Sequence, residues 1–191
     1  MGNKIKMEST EIKKGKLLIA EPSILNDRSF NRTVILLSEH NDEGSIGFIM
    51  NKPSNYILSD LLPEIASDLT IYKGGPVSNE NLYFVHRVPQ LIPDSLEIAD
   101  GIFWGGDFEV VQELLLNNNL KNDDIRFFLG YSGWSKDQLQ DELETTSWMV
   151  IENQYQNIFE ISDTSFWKDQ LMRLGGEYRI WANAPENPSL N

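Results

Sequence analysis

No cysteine occurs among the 191 residues, and only two histidines do, His40 and His86. The first absence excludes disulfides, thiolate metal sites and cysteine nucleophiles together, and it suits a reducing compartment. The second confines any catalytic imidazole to two positions. No stretch approaches the ~20 apolar residues of a membrane-spanning helix, and the N-terminus lacks the apolar core of a signal peptide. "MGNKIK" departs from a myristoylation signal at Lys6, where Ser or Thr is wanted. Cations are scarce as well: 16 Lys and Arg stand against 29 Asp and Glu, a formal charge of −13. Binding to duplex DNA rests on Lys and Arg neutralising phosphates, so direct nucleic-acid binding is not expected. The expectation is a soluble, acidic, cytoplasmic protein.

What is present suffices for one ample core. A chain of this length buries about 70% of the surface it exposes when unfolded. The lysines cluster at the start, where Lys4, Lys6, Lys13, Lys14 and Lys16 face only Glu8 and Glu11. Residues 1–15 therefore read as a flexible basic arm, 16–182 as a single domain, and the polar, Pro-broken 183–191 as a disordered tail.

"KLLIAEPSI" opens as a strand closed by Pro22. Val34–Leu37 and Ile46–Met50 are apolar on both faces and flank Asn41–Gly44, which predicts a hairpin of two central strands, the second ended by Pro53. "LSDLLPEI" is a short helical piece. "LTIYKGGPV" and "NLYFVHR" predict strands around a turn at Ser78–Glu80, and "LEIADGIFWGG" a hairpin turning at Asp100–Gly101. Asp107 can begin a helix whose apolar face is Phe108, Val111, Leu114 and Leu115. "RFFLGYSGWSKDQLQDELE" reads as strand, glycine-bracketed turn and helix, with Ser135 and Gln138 as a capping box. "SWMVIE" returns as a strand, "TSFWKDQLMRLGG" as a helix stopped by Gly175–Gly176, and "EYRIWA" as a last strand. The whole predicts one α+β domain with a mostly antiparallel or mixed sheet.

Strand, turn with serine, helix is also the layout of a hydrolase nucleophile elbow. That motif needs glycine two before and two after the serine. Gly130 satisfies the first requirement for Ser132, but Trp134 occupies the second place, and both histidines precede Ser132. A scaffold role follows instead, with anion binding at the helix start beside it as a lesser alternative. "YKGGPV" lacks the spacing of a phosphate loop and reads as a bend. His86 alternates with Leu82 and Phe84 on one side of its strand, as a packed or hydrogen-bonded residue. His40 with Asp42 and Glu43 on a turn lacks the support a metal site needs. Asp137, Asp141 and Glu144 form a carboxylate stripe on the second helix. The five tryptophans read as packing, since a base-stacking platform would need basic grooves. No cofactor and no metal are expected.

Taken together, "LLIAEPSILNDRSFNRTVILLSEHNDEGSIGFIMNKP", "GGPV", "FVH", "LGYSGW", "QLQDELE" and "SWMV" resemble the YqgE/AlgH family of bacterial proteins. The resemblance runs from about Lys16 to about Gly175. It implies a compact α+β fold with a barrel-like, bifurcated sheet flanked by helices, in a cytoplasmic protein of unestablished activity. Some members carry the label of transcriptional regulator from genetic association. The family pattern falls on Asn51, Lys52, Pro53, Gly74, Gly75, Pro76, His86, Gly130, Tyr131, Gly133, Trp134 and Trp148. At Ser132 the pattern also accepts alanine, which argues against a nucleophile. Where this chain has Gly105–Gly106 the family often has a Thr-Ser pair. The expected function is a non-enzymatic regulatory or protein-interaction module with a protein partner. Its candidate surface is Asn51, Lys52, Gly74, Gly75, Pro76, His86, Gly130, Tyr131, Gly133 and Trp134. The alternative is a small-ligand binder or enzyme using the glycine-rich loops and His86. Oligomeric state stays open.

Overall fold

The computed structural model describes residues 11–153 and 158–185. Residues 1–10 of the expected arm, and residues 186–191 of the expected tail, lie outside these. The strands are β1 (Leu17–Ala20), β2 (Val34–Asn41), β3 (Gly44–Ile49), β4 (Pro53–Ile57), β5 (Thr70–Lys73), β6 (Val77–His86), β7 (Leu96–Ala99), β8 (Ile102–Trp104), β9 (Ile125–Ser135) and β10 (Trp148–Ile151). The helices are α1 (Leu58–Leu61), α2 (Phe108–Leu116), α3 (Gln138–Glu144), α4 (Thr164–Leu174) and α5 (Tyr178–Asn183).

The β2–β3 hairpin forms because two apolar, β-branched-rich runs flank a turn in which Asn41 pairs with Gly44. Its strands are central, β2 lying between β1 and β3, and β3 between β2 and β9. Both sides being covered, Val34, Ile35, Leu36, Leu37 and Phe48 are fully buried. Leu36→Ala should cost about 3 kcal/mol by leaving a cavity. A urea midpoint that barely moves would place the hairpin at an exposed edge.

β9 is the spine of the molecule. Along one side it pairs antiparallel with β6. Along the other it changes partner, pairing with β5 in parallel from Phe127 to Leu129 and with β3 antiparallel from Ser132 to Ser135. The sheet thus bifurcates at Gly130–Tyr131. Successive β9 side chains point to opposite faces. Phe127 therefore joins one core, with Leu58, Ile71, Val111 and Leu115 beneath α1 and α2. Phe128 joins the other, with Leu17, Leu36, Phe48 and Trp167.

The sheet curls like a barrel without closing. Its path runs β10-β1-β2-β3-β9-β6-β8-β7, and the end strands do not pair with each other. β7 instead comes against β2, and the chain entering β1 fills the seam. The Gly15 N–H donates to the Leu37 carbonyl (2.7 Å), and Lys14 Nζ donates to the Glu97 carbonyl (3.0 Å). A β-carbon on Gly15 would overlap the Ala99 methyl. Lys14 and Gly15, expected in the arm, are therefore part of the fold.

Several local expectations are corrected. "EYRIWA" forms the helix α5, although its apolar residues Ile180 and Trp181 are 72% and 43% exposed. "GYSGWS" is no turn, for β9 runs through to Ser135. Ser78–Glu80 lies inside β6 as a bulge, and the chain turns at Gly74–Pro76 instead. Pro53 begins β4, where a missing N–H is tolerated because β4 pairs only with β5. At α3 the residue before the helix is Asp137, left-handed at φ 64°. Gln138 accepts from the Ser135 N–H (3.0 Å), which completes half of the expected box, but the Ser135 hydroxyl also points to that oxygen and caps nothing. Asp107, by contrast, caps α2 as expected, accepting from Glu109 and Val110. Asn183, placed in the tail by sequence, ends α5.

Candidate functional site

Of the ten sequence-derived surface candidates, five (Gly74, Gly75, Pro76, Gly130 and Tyr131) meet at one place. β5 and β6 lie on opposite sides of β9, so the link Gly74–Pro76 must cross over the β9 backbone. It crosses at Gly130–Ser132. A β-carbon on Gly130, whose φ is 69°, would lie 2.6 Å from the Gly75 carbonyl and 2.7 Å from that of Val77. On Gly74 it would strike the Gly130 carbonyl, and on Gly75 the Tyr131 carbonyl. The crossing is hydrogen-bonded on both sides. Gly74 N–H donates to Leu129 O (2.8 Å), and Ile49 N–H donates to Gly74 O (2.9 Å). Both glycine motifs are thus explained by two chains passing in contact. Pro76 is exposed beside the crossing, and Tyr131 packs edge-on to Tyr83 at 5.6 Å. Gly133, in contrast, has no positive φ, and a β-carbon there would meet the Tyr131 ring edge at 3.1 Å and the Val77 side chain at 3.6 Å.

Ser132 is fully buried and its hydroxyl donates to the Gly74 carbonyl at 3.1 Å. It binds the crossing together, and no imidazole is bonded to it. Because a bond is lost, Ser132→Ala should cost about 1 kcal/mol without changing the fold, as read by chemical denaturation.

His86 sits apart from the crossing. It is fully buried between Phe84 and Phe103, at ring distances of 6.0 and 5.9 Å. The Val88 N–H donates to Nδ1 (3.3 Å), so Nε2 carries the proton and donates to the Gly105 carbonyl (3.2 Å). Both ring nitrogens are occupied. Burial lowers its pKa below the ordinary 6.5, with the Gly105 bond opposing. The unfolded chain therefore takes up this proton first. The stability His86 contributes is present above about pH 6.5 and is lost as pH falls through the depressed folded value. Glu21 works in the opposite sense, because burial raises its carboxyl above the ordinary 4.5. Between pH ~7 and ~5.5, the urea midpoint of wild type should drop relative to that of His86→Gln. Parallel curves would contradict a buried neutral imidazole.

Asn51 is also buried. Its side-chain oxygen accepts from Val34 N–H (2.8 Å) and its amide donates to the Arg32 carbonyl (2.8 Å), clamping the entry to β2. Lys52 Nζ donates to the Ser29 carbonyl (3.0 Å). Trp134 and Trp148, 5.9 Å apart and edge-on, both donate their indole N–H to one oxygen of Glu142, at 2.9 and 2.7 Å. Phe30 packs on both rings. Glu142, overlooked in the sequence beside the stripe Asp137, Asp141 and Glu144, is thus the acid that pins α3 to the sheet.

A second residue that sequence reasoning missed is Arg126, 7% exposed. Its guanidinium donates to the carbonyls of Met50 (2.8 Å), Ile161 (2.6 Å) and Phe159, and lies 4.2 Å over the Tyr72 ring. Burial lowers its pKa to about 10, with Tyr72 opposing, so the cation persists at neutral pH. Inside an apolar run of β9 nothing marks it except its being the one charge there.

One concavity was announced by no sequence motif. A groove of about 970 Å³ lies between the β2–β3 hairpin tip, α3 and β10. Leu139, Leu143, Trp148 and Val150 supply its apolar walls. Glu11, Asp42, Asp137 and Glu144 bring carboxylates to it, against Lys136 and His40. His40 Nδ1 is 2.7 Å from the Ser45 hydroxyl. Among the described residues, no group of three or more His, Asp or Glu is placed to hold a metal ion. No helix among them is long and apolar enough to cross a membrane.

Comparison with known proteins agrees with this architecture. A family model described as AlgH-like (DUF179) matches residues 17–179. A UPF0301 protein of Cytophaga hutchinsonii is 41% identical over 180 residues, covering 93% of this chain and 98% of its own. One from Parabacteroides distasonis is 40% identical over 180 residues, covering 93% and 90%. The solution structure of the AlgH protein from Pseudomonas aeruginosa superposes with a TM-score of 0.69 at 23% identity, covering 94% of this chain and 98% of that one. A crystal structure from Corynebacterium diphtheriae gives 0.72 at 21% identity, covering 93% and 95%. At those identities the two structures speak for the fold alone. The chain belongs to the AlgH-like family.

Proposed function

We propose that the protein acts by docking a protein partner in the groove between the hairpin tip, α3 and β10, as a regulatory interaction module without a catalytic step of its own. The observation that carries this reading is a contrast of placement. Gly74, Ser132, Asn51 and His86 have their polar groups engaged within the fold, and Gly75 and Gly130 are packed backbone to backbone at the crossing, whereas the groove is an open concavity with apolar walls and a charged rim. Such a combination suits recognition of a partner surface. A regulatory role through direct DNA contact is disfavoured by a formal charge of −13. The alternative of a small-molecule site built on the glycine loops and His86 would require the crossing to open.

The test is site-specific photo-crosslinking in the native host. A photoreactive residue replaces Gln140, exposed on α3 at the groove, or Pro76, exposed at the glycine crossing. The reading expects a discrete protein adduct from position 140 and none from 76. Adducts from 76 alone, or from neither, would overturn it.

A further inference from the structure

The groove is not neutral. Among the described residues, four carboxylates, on Glu11, Asp42, Asp137 and Glu144, line it together with one lysine, Lys136, and Glu11 is itself paired with Lys13 at 2.6 Å. They stand on separate elements: Asp42 at the hairpin tip, Glu11 on the chain entering the seam, and Asp137 and Glu144 at the two ends of α3. α3 spans seven residues, about 10 Å at 1.5 Å per residue, so the rim carries negative charge along its length as well as on opposing walls. None of Asp42, Asp137 and Glu144 is in an ion pair with a described residue. Between them the walls present Leu143 from α3 and Val150 from β10, both half-buried, backed by the buried Leu139 and Trp148. A volume of about 970 Å³ admits several residues of extended chain.

Resting on the docking reading above, we infer that the partner is recognised through an extended segment in which lysines or arginines alternate with apolar residues. An extended chain repeats its side-chain direction every two residues, about 6.8 Å. Apolar side chains on one side would meet Leu143 and Val150, while long cationic side chains on the other reach the rim carboxylates. An acidic segment would meet like charge at the hairpin tip and along α3, and a wholly apolar one would leave the rim carboxylates without a counter-charge. Attraction of this kind acts chiefly on the association rate and weakens as salt rises.

The probe is a fluorescent decapeptide alternating Lys and Leu, titrated into the full-length protein and followed by anisotropy. Its Glu-Leu and Ser-Leu counterparts serve as comparisons. The inference expects binding of the Lys-Leu peptide alone, weakened between 50 and 300 mM salt. The double variant Asp42→Asn/Glu144→Gln should weaken it roughly tenfold, two surface charge pairs being removed. Because an acidic protein attracts any polycation, a second double variant, Glu109→Gln/Glu113→Gln on α2, removes the same charge away from the groove. Unchanged affinity there supports the inference. Equal weakening in both doubles would mean attraction to net charge only and would overturn it. Binding of the Ser-Leu or Glu-Leu peptide as tightly as the Lys-Leu peptide would overturn the cationic class. No peptide binding, together with a crosslinked protein at position 140, would reject the inference while the docking reading stands. With no adduct at 140 either, both fall.

Discussion

Gly74→Ala is expected to abolish folding or to destabilise the protein by about 4 kcal/mol or more. The added methyl would lie inside contact distance of the Gly130 carbonyl and 3.0 Å from the Phe128 β-carbon. Neither neighbour can swing aside. Gly130 is main chain in the central strand, and Phe128 is fully buried. Relief requires the β5–β6 link to lift off β9, which breaks the bonds from Gly74 to Leu129 and from Ile49 to Gly74 and pulls the Ser132 hydroxyl from its acceptor. The matched control is Gly133→Ala, three residues along β9 from Gly130. Its backbone is one an L residue adopts, and its methyl would touch the edge of the half-buried Tyr131 ring and, at an ordinary 3.6 Å, the Val77 side chain, so it should cost under about 1 kcal/mol. Soluble yield and denaturant midpoints of the pair check this. Similar behaviour of the two variants would contradict the crossing as the reason for the glycines.

Arg126→Ala should cost about 4 kcal/mol. Truncation leaves the carbonyls of Met50, Phe159 and Ile161 in the interior without their donor. Each buried acceptor so stranded costs about 1–3 kcal/mol unless water reaches it. The Tyr72 ring also loses the cation stacked 4.2 Å above it. Since two of the three carbonyls belong to residues 158–161, that segment should loosen first. A proteolytic time course at low protease should show cleavage near it in Arg126→Ala before the sheet unfolds. A variant as stable and as protease-resistant as wild type would mean that the guanidinium does not hold this segment.

How far the residues announce the structure depends on whether the cause is local. The β2–β3 hairpin is readable because its apolar runs and its Asn41–Gly44 turn are adjacent in sequence. The Asp107 cap and the apolar face of α2 are readable for the same reason. "GYSGWS" misleads because glycine and serine signal a turn locally. Here they permit a chain crossing whose other half, Gly74–Gly75, is more than fifty residues earlier. Likewise the bulge that carries Ser78–Glu80 within β6 is set by pairing to β9, not by its own turn-forming residues. "EYRIWA" shows aromatic and β-branched residues that favour a strand, yet no strand edge is paired with it and it closes as a short helix following Gly175–Gly176. Family-pattern residues are legible as motifs, and Asn51, Gly74 and His86 among them lie buried with hydrogen bonds inside the fold. The groove was illegible because it draws its walls from α3, β10 and the hairpin tip, which share no motif.

The central claim is that the glycine motifs form a rigid crossing, which leaves recognition to the groove. Amide hydrogen exchange at Ile49 and Gly74 tests it most directly, because their N–H groups bond to Gly74 O and Leu129 O across the branch point. The account predicts that both exchange only through global unfolding, with protection equal to that of Leu36 in the core. Exchange of Ile49 and Gly74 through a low-energy local opening, while Leu36 stays protected, would contradict it and mark the crossing as a mobile binding loop.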